Sequence, residues 1–411
     1  MRIERPSYLA KLINRKHNGL IKVITGVRRC GKSYLLFNLF EEHLLKSGIS
    51  DSQIISIALD DRKNKALRDP DACDGYVRSR VGKGQHYLFL DEVQMLPEFE
   101  DVLNGFMHID NLDVYVTGSN SKLLSSDVIT EFRGRGDEVR VHPLSFAEFF
   151  AARSDHWEDA WADYLTFGGM PYIARLDNDE DKISYLDRLF KETYLRDIVE
   201  RNKVKQEDEL GDLINVVASS VGSLTNPGKL EKTFKSVKSI SLSAPTIKNY
   251  LDYLEDAFLL HHAHQYNVKG KKYISTPLKY YFEDVGLRNV RLSFRQQEEA
   301  RILENVIFNE LVIRGFQVDV GVIDIVERGQ RKRIEIDFIA NEGSRRYYIQ
   351  SALAILDDQK RMQEVRPLLA TNDSFKKIIV VGGNPKLSRD ERGVVTMGLK
   401  DFLLDPASLD L

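Results

Sequence analysis

Residues 26–33 are GVRRCGKS, which brings two glycines, a lysine and a serine into one short stretch. Glycines let the backbone N–H groups of a loop wrap around phosphate oxygens, while a lysine contacts the outer phosphates and a serine hydroxyl ligates Mg²⁺. The stretch fits the pattern GxxxxGK[ST], so it predicts a binding site for ATP with Mg²⁺ as cofactor. The residues expected to form this site are Gly26, Val27, Arg28, Arg29, Cys30, Gly31, Lys32, Ser33 and Tyr34.

A second stretch, YLFLDEVQ at 87–94, runs an apolar segment directly into two adjacent carboxylates. Buried acids are costly unless a cation meets them, and a nucleotide-bound Mg²⁺ is such a cation. We therefore expect Asp91 to hold the Mg²⁺ shell together with Ser33, and Glu92 to act as the base that polarises the attacking water. Taken alone, residues 87–92 equally fit a strand that ends in a solvated turn.

The apolar pattern around the glycine stretch predicts the elements that position it. Ile21 to Thr25 is a β-branched run typical of a buried strand, and apolar residues recur at helical spacing over 35–40. The predicted order is strand, glycine loop, helix, as a phosphate-binding loop requires. The N-terminus of that helix adds its partial positive charge to the site.

Two further polar stretches follow. The segment DVYVTGSNS at 113–121 is a strand ending in polar residues, and its Asn120 is expected to contact the γ-phosphate and the attacking water. A strand followed by an ordinary turn is the alternative. Arg133 and Arg135 flank a glycine; a guanidinium there can neutralise charge during phosphoryl transfer, in cis or from a neighbouring subunit. A surface turn is again the alternative.

These motifs resemble those of the AAA-type P-loop ATPases, in particular a prokaryotic group whose ATPase module is followed by a conserved domain of unknown function. The motifs that carry the resemblance are GVRRCGKS, LFLDEVQ, VTGSNS, RGR, HPLSFAEFF and FGGMPYI. The resemblance implies an ATPase that converts ATP and water to ADP and phosphate. It gives the phosphate-loop, metal, base and sensor roles to Lys32, Ser33, Asp91, Glu92 and Asn120. It also matches Arg135 to the arginine finger better than Arg133.

The expected fold class is α/β: a P-loop NTPase parallel sheet with helices, then a helical and winged-helix domain, then a C-terminal restriction-endonuclease-like α/β domain. The predicted domains are an AAA-type ATPase domain at 1–150, a helical linker or lid at 151–208, a winged-helix-like domain at 209–298 and a degenerate endonuclease-like domain at 299–411. The Gly168-Gly169 turn is either a hinge or an ordinary loop.

The winged-helix interpretation rests on an apolar stripe over 244–257, the expected recognition helix, and on a hairpin turning at 269–271. Lysines that could gather on one side and contact DNA are Lys229, Lys232, Lys235, Lys238, Lys248, Lys269, Lys271 and Lys272. The acidic residues of the expected recognition helix argue against DNA binding, and winged-helix modules also serve as protein-packing units. His261, His262 and His264 are not expected to bind metal together, because a strand sends consecutive side chains to opposite faces.

In the last domain, the order of helix and strand residues along the chain resembles that of a metal-dependent nuclease. Such a nuclease needs two acids for the metal and a lysine to assist the attacking water. Glu304 is the expected helix acid and Asp337 the expected strand acid. Gln350 and Ala352 stand where a nuclease would have Glu and Lys. The pattern therefore supports the fold and argues against cleavage.

Composition limits the remaining possibilities. The 411 residues carry a net charge of −3, so no global basic field indicates nucleic acid, although a local patch remains compatible. No apolar run approaches a membrane span, the N-terminus is too polar for a signal peptide, and two cysteines make a poor disulfide framework. We expect a cytoplasmic ATPase that couples turnover to a DNA or protein partner, with a homo-oligomer as a candidate state. A nucleotide switch with little turnover and a metal-dependent DNA nuclease are the alternatives.

Overall fold

The computed structural model describes residues 2–118, 136–153, 156–238, 242–295, 298–327 and 329–411. The chain forms two compact units. Unit 1 comprises Met1–Pro143 with Glu255–Phe258, and unit 2 comprises Leu144–Leu254 with Leu259–Leu411. Asn120, Arg133 and Arg135 lie outside the described residues, so their roles stay predictions. No helix in the described ranges combines the length and apolar composition needed to cross a membrane.

Unit 1 is built on a five-stranded parallel sheet. Its strands are β1 Ile21–Thr25, β2 Ile54–Ala58, β3 His86–Asp91, β4 Leu112–Thr117 and β5 Gly136–Arg140. Their order is β2-β3-β4-β1-β5, and every neighbouring pair is parallel. β1, β3 and β4 are buried at every residue, which explains their near-continuous apolar sequence. The predicted parallel α/β sheet is confirmed.

Helices cover this sheet and complete its core. They are α1 Pro6–Asn14, α2 Lys32–Tyr34, α3 Glu41–Lys46, α4 Pro70–Arg80 and α5 Phe99–Phe106. A π-helical segment, Leu35–Phe40, joins α2 to α3. Short 3₁₀ turns cover Asp51–Gln53, Arg62–Arg68 and Val93–Met95. Apolar residues of α4 and α5 pack in one buried cluster with β1, β2, β3 and β4. This packing fixes the strand ends at which the polar motifs lie.

Unit 2 contains an eight-stranded mixed sheet. Its strands are β6 Leu260–Asn267, β7 Lys272–Phe282, β8 Gln317–Glu327, β9 Gln330–Glu342, β10 Arg345–Ala352, β11 Lys376–Val381, β12 Ser388–Arg389 and β13 Val394–Gly398. Their order is β12-β13-β11-β10-β9-β8-β6-β7. The pairs β6–β8, β10–β11 and β11–β13 are parallel, and the other pairs are antiparallel.

Helices make up much of the rest of the chain. They are α6 Phe146–Arg153, α7 Trp157–Phe167, α8 Asp179–Arg188, α9 Arg196–Asn202, α10 Glu207–Ser219, α11 Pro227–Thr233, α12 Ala244–Asp256, α13 Val285–Arg291, α14 Glu299–Ile313, α15 Asp358–Leu369 and α16 Leu399–Leu404. Leu189–Leu195 and Phe234–Lys238 are π-helical, and Ile173–Arg175 and Ser408–Asp410 are 3₁₀ turns.

The hairpin predicted as a wing belongs to this larger sheet. β6 and β7 form the antiparallel pair expected around residues 269–271. However, β6 also pairs in parallel with β8, through Gln265 and Val320. Residues 209–298 and 299–411 therefore share one sheet, whereas the sequence divides them into two domains. Separate winged-helix and endonuclease-like folds stay predictions.

The FGGMPYI stretch forms a tightly packed turn in unit 2. A Cβ on Gly168, whose φ is +75°, would lie 2.1 Å from Asp284 Oδ1, and a Cβ on Gly169 would lie 2.2 Å from the Leu144 carbonyl oxygen. The Gly169 N–H donates to Asp284 Oδ2 at 2.7 Å. Burial raises the pKa of Asp284 to about 6, although bonds from backbone N–H groups oppose the shift. This close packing favours a fixed loop over a hinge.

Candidate phosphate-binding site

The glycine loop after β1 has the backbone shape that its glycines permit. Gly26 has a φ of +135° and Gly31 a φ of +101°, both in a region that favours glycine. A Cβ on Gly26 would lie only 2.0 Å from the carbonyl oxygen of Val141. Gly31 directly precedes α2, so the loop leads into a helix as predicted. Both glycines are therefore required by the backbone path.

We expect Gly26→Ala to lower the affinity for ATP by about 10- to 100-fold, because displacing the loop costs at least one charge-assisted hydrogen bond of about 1.5–3 kcal/mol. Equilibrium titration with ATP and Mg²⁺ measures the change. Gly75→Ala is the matched control, since Gly75 lies within α4 and a Cβ there meets nothing within 4 Å. Unchanged affinity in Gly26→Ala would contradict the assignment of the loop.

The side chain of Lys32 is held over the glycine loop by carbonyl groups of that loop. Its Nζ donates to the carbonyl oxygens of Gly26 at 2.9 Å and Val27 at 3.2 Å. The residue is buried, with 4% of its surface exposed. The ammonium is thus pre-positioned on the loop that carries the N–H groups, where a phosphate would meet both kinds of donor.

The predicted metal residues come together at the ends of the central strands. Ser33 Oγ donates to Asp91 Oδ1 at 3.0 Å. Thr117 Oγ1, from the end of β4, donates to the same oxygen. Hydroxyl and carboxylate oxygens are the donors that Mg²⁺ prefers, so Ser33 and Asp91 fit a magnesium site. Burial raises the pKa of Asp91, and bonds from Thr117 and Ser33 oppose the shift.

Glu92 follows Asp91 in a left-handed conformation, with a φ of +53°. Its backbone N–H donates to Thr117 Oγ1 at 3.1 Å, and its carboxylate accepts from Gln94 Nε2. One threonine hydroxyl therefore contacts both members of the Asp-Glu pair. The φ above zero turns the chain after β3, at the residue that follows the buried Asp91.

Two residues at this site were missed by sequence reasoning. Thr117 lies in the stretch from which only Asn120 was singled out; its place at the last residue of β4 was the available signal. Arg5 has no motif around it. Its buried guanidinium donates to the carbonyl oxygens of Cys30 at 3.1 Å and His142 at 2.8 Å and lies 4.5 Å from the Tyr8 ring centroid. Arg5 thereby links the glycine loop, at Cys30, to the segment that follows β5, at His142.

The predicted lysine patch is partly assembled in unit 2. Lys229, Lys232 and Lys235 line one pocket along α11 and the residues that follow it, together with Glu231. Lys235 is 2.9 Å from Glu231, however, and Lys248 is 2.7 Å from Asp252. These ion pairs reduce the positive potential that the sequence indicates.

The histidines of β6 divide as expected for a strand. His262 and His264 lie on one face, with their Nε2 atoms 3.1 Å apart. His261 pairs instead with the carboxylate of Glu283. The three imidazoles are therefore not gathered into one metal site.

The nuclease-like residues also lie together in unit 2. The carboxylates of Glu304 and Asp337 are close enough that the charge of Glu304 raises the pKa of Asp337. Gln350 Oε1 accepts from the Asp337 N–H at 3.1 Å. Ala352 packs in an apolar cluster that includes Tyr348, Val365 and Leu368. The absence of a lysine at 352 thus agrees with an apolar environment there.

Comparison with known proteins identifies two protein families and two similar proteins that match this chain. It matches the family described as "AAA domain" over residues 18–150 and "Domain of unknown function (DUF8612)" over residues 158–298. An uncharacterized protein of Haemophilus influenzae is 34% identical over 387 residues, covering 92% of this chain and 93% of that protein. The uncharacterized protein MJ1544 of Methanocaldococcus jannaschii is 30% identical over 351 residues, covering 80% of this chain and 75% of that protein.

Solved structures show only a weak likeness. The ORC1 protein of Aeropyrum pernix in complex with DNA is 12% identical, covering 71% of this chain and 93% of that chain, with a TM-score of 0.29. CDC6P from Pyrobaculum aerophilum is 14% identical, covering 71% of this chain and 94% of that chain, also with a TM-score of 0.29. The sequence match over nearly the whole length shows that the chain belongs to the family of the Haemophilus influenzae protein, and its N-terminal part is an AAA domain.

Proposed function

We propose that unit 1 binds ATP with Mg²⁺ and hydrolyses it to ADP and phosphate. The observation that carries the proposal is the contact between Ser33 and Asp91 beside the glycine loop. It joins the residue that follows the phosphate-binding lysine to the acid at the end of β3. A loop shaped by two glycines, a buried lysine bonded to that loop and a carboxylate bonded to the serine after the lysine together support this role.

The residues divide the chemistry among them. Loop N–H groups and Lys32 hold the β- and γ-phosphates and offset their charge. Bound Mg²⁺, held by Ser33 and Asp91, would supply further charge neutralisation on the phosphate oxygens. Glu92 accepts the proton of a water molecule aligned with the γ-phosphate, and the bond to the leaving ADP oxygen breaks as the new bond forms. Asn120 as sensor and Arg135 as arginine finger belong to this proposal.

We further propose that unit 2 couples this turnover to a partner, with DNA as the first candidate. The lysine-lined pocket of α11 supports phosphate contact, whereas the ion pairs of Lys235 and Lys248 weaken it. A protein partner and a homo-oligomer that shares Arg135 between subunits are the other candidates. Cytoplasmic placement is part of the proposal, and it agrees with Cys30 and Cys73 being buried thiols that are not joined in a disulfide.

The test is the steady-state rate of phosphate release with and without duplex and single-stranded DNA. If DNA is the partner, the rate rises with DNA, and Lys232→Ala reduces the salt slope of DNA binding by about 1. Lys191→Ala is the matched control, because Lys191 is an exposed lysine of unit 2 that pairs with Asp187. A rate that does not respond to DNA would exclude DNA as the partner without contradicting the proposed ATPase activity. Tight ATP binding with no turnover would instead favour the nucleotide switch.

A further inference from the structure

A lysine lies among the acids of the nuclease-like cluster in unit 2. Lys279 belongs to β7 and is 3% exposed. Its Nζ is 2.8 Å from Glu304 Oε1 and 2.7 Å from Glu335 Oε1. Burial disfavours the ammonium, but the charges of Glu304 and Glu335 outweigh burial and raise the pKa of Lys279. The ammonium therefore bridges a helix acid to a strand acid.

One oxygen of each of these acids is already engaged by the protein. Tyr281 donates its hydroxyl to Glu304 Oε1 at 2.7 Å, and the Ser351 N–H donates to Asp337 Oδ2 at 2.8 Å. Burial and the charge of Glu304 raise the pKa of Asp337 to about 8, and the charge of Lys279 opposes the shift.

The chain also passes directly over Glu304. A Cβ on Gly222 would lie 3.1 Å from both carboxylate oxygens of Glu304, so the backbone lies against this side chain. Arg301 fixes the same segment by donating to Ser223 Oγ at 2.8 Å. A phosphodiester would have to displace this segment to reach Glu304.

We propose that Lys279 is a built-in cation that takes the place of a divalent metal ion between Glu304, Glu335 and Asp337. Carboxylates from a helix and a strand converge as they would on a metal, but the ammonium of β7 joins them. The cluster then holds α14, β7 and β9 together without metal. It neither binds a divalent cation nor cleaves nucleic acid while Lys279 is present.

Mn²⁺ is the probe, and the number of ions bound to the full-length protein is counted by electron paramagnetic resonance. Wild type and Asp337→Asn are expected to bind equal numbers, because the cluster holds none. Lys279→Ala is expected to bind one more per chain, and the double variant with Asp337→Asn is expected to lose it. Any Mn²⁺ held by Asp91 is common to all four proteins and cancels.

Two results would overturn the proposal. The first is a wild-type protein that binds more Mn²⁺ than Asp337→Asn, since the cluster would then already hold metal. The second is a folded Lys279→Ala protein that gains no ion. If Lys279→Ala does not fold, the comparison of wild type with Asp337→Asn still decides.

Discussion

Glu92→Gln is expected to lower the rate of ATP hydrolysis by about 10²- to 10⁴-fold, the range that a general base contributes. The amide keeps the shape of the side chain but cannot accept a proton. The backbone bond from Glu92 to Thr117 does not involve the side chain, so the strand end should keep its geometry. ATP affinity should stay within about threefold of wild type, because in our proposal the loop N–H groups and Lys32 hold the phosphates and Glu92 acts on the attacking water.

Single-turnover phosphate release and equilibrium titration together separate these effects. Glu98→Gln is the matched control: Glu98 has the same charge and a similar φ, +51°, but is exposed and lies outside the site. Its turnover should equal that of wild type. Normal turnover in Glu92→Gln would remove Glu92 as the base, and equal loss in both variants would indicate a general charge effect.

Asp113→Ala is expected to destabilise unit 1 by about 3–5 kcal/mol, the usual cost of leaving one partner of a buried ion pair alone. Lys22 of β1 pairs with Asp113 of β4, and both side chains are buried. Asp113 Oδ2 also accepts from the Tyr115 hydroxyl at 2.9 Å and from the His17 N–H at 3.1 Å. The substitution would therefore leave the buried Lys22 ammonium without its anionic partner and the buried Tyr115 hydroxyl without this acceptor.

Thermal unfolding measures this change. The midpoint of the transition that unfolds unit 1 should fall by about 10 °C for a unit of this size. Asp110→Ala, which removes an exposed acid shortly before β4, should stay within about 0.5 kcal/mol of wild type.

The loss of stability in Asp113→Ala should also depend on pH. Burial lowers the pKa of Lys22 and Asp113 opposes this, so in Asp113→Ala the pKa of Lys22 falls further. Because the folded variant then binds fewer protons than the unfolded chain, its deficit should shrink as pH rises toward the ordinary lysine pKa. A deficit that is small, or constant with pH, would contradict the buried pair.

Sequence reasoning succeeds where the determinants are local. The glycine loop, Lys32 and Ser33 lie in one stretch, and the buried runs of β1 and β3 identify central strands without knowledge of their neighbours. Asp91 follows from its place at the end of such a run. The turn at 269–271 likewise predicts its hairpin, because turn residues act over a few positions.

Contacts between distant parts of the chain escape the same reasoning. Arg5 bonds to carbonyl groups 25 and 137 residues away, and no local pattern announces either bond. The pairing of β6 with β8 depends on tertiary packing, so the sequence indicates the hairpin but not the sheet to which it belongs. Lys279 was not considered with Glu304 because a nuclease pattern places its lysine on β10. In each case the residue type was visible, but its partner was not.

The most direct test of the central claim is a calorimetric titration of the full-length protein with ATP in the presence of Mg²⁺. We predict saturable binding of one ATP per chain that is weakened by about 10- to 100-fold in Gly26→Ala and kept in Gly75→Ala. No saturable binding by wild type, or equal binding by Gly26→Ala, would contradict an ATP site at the glycine loop.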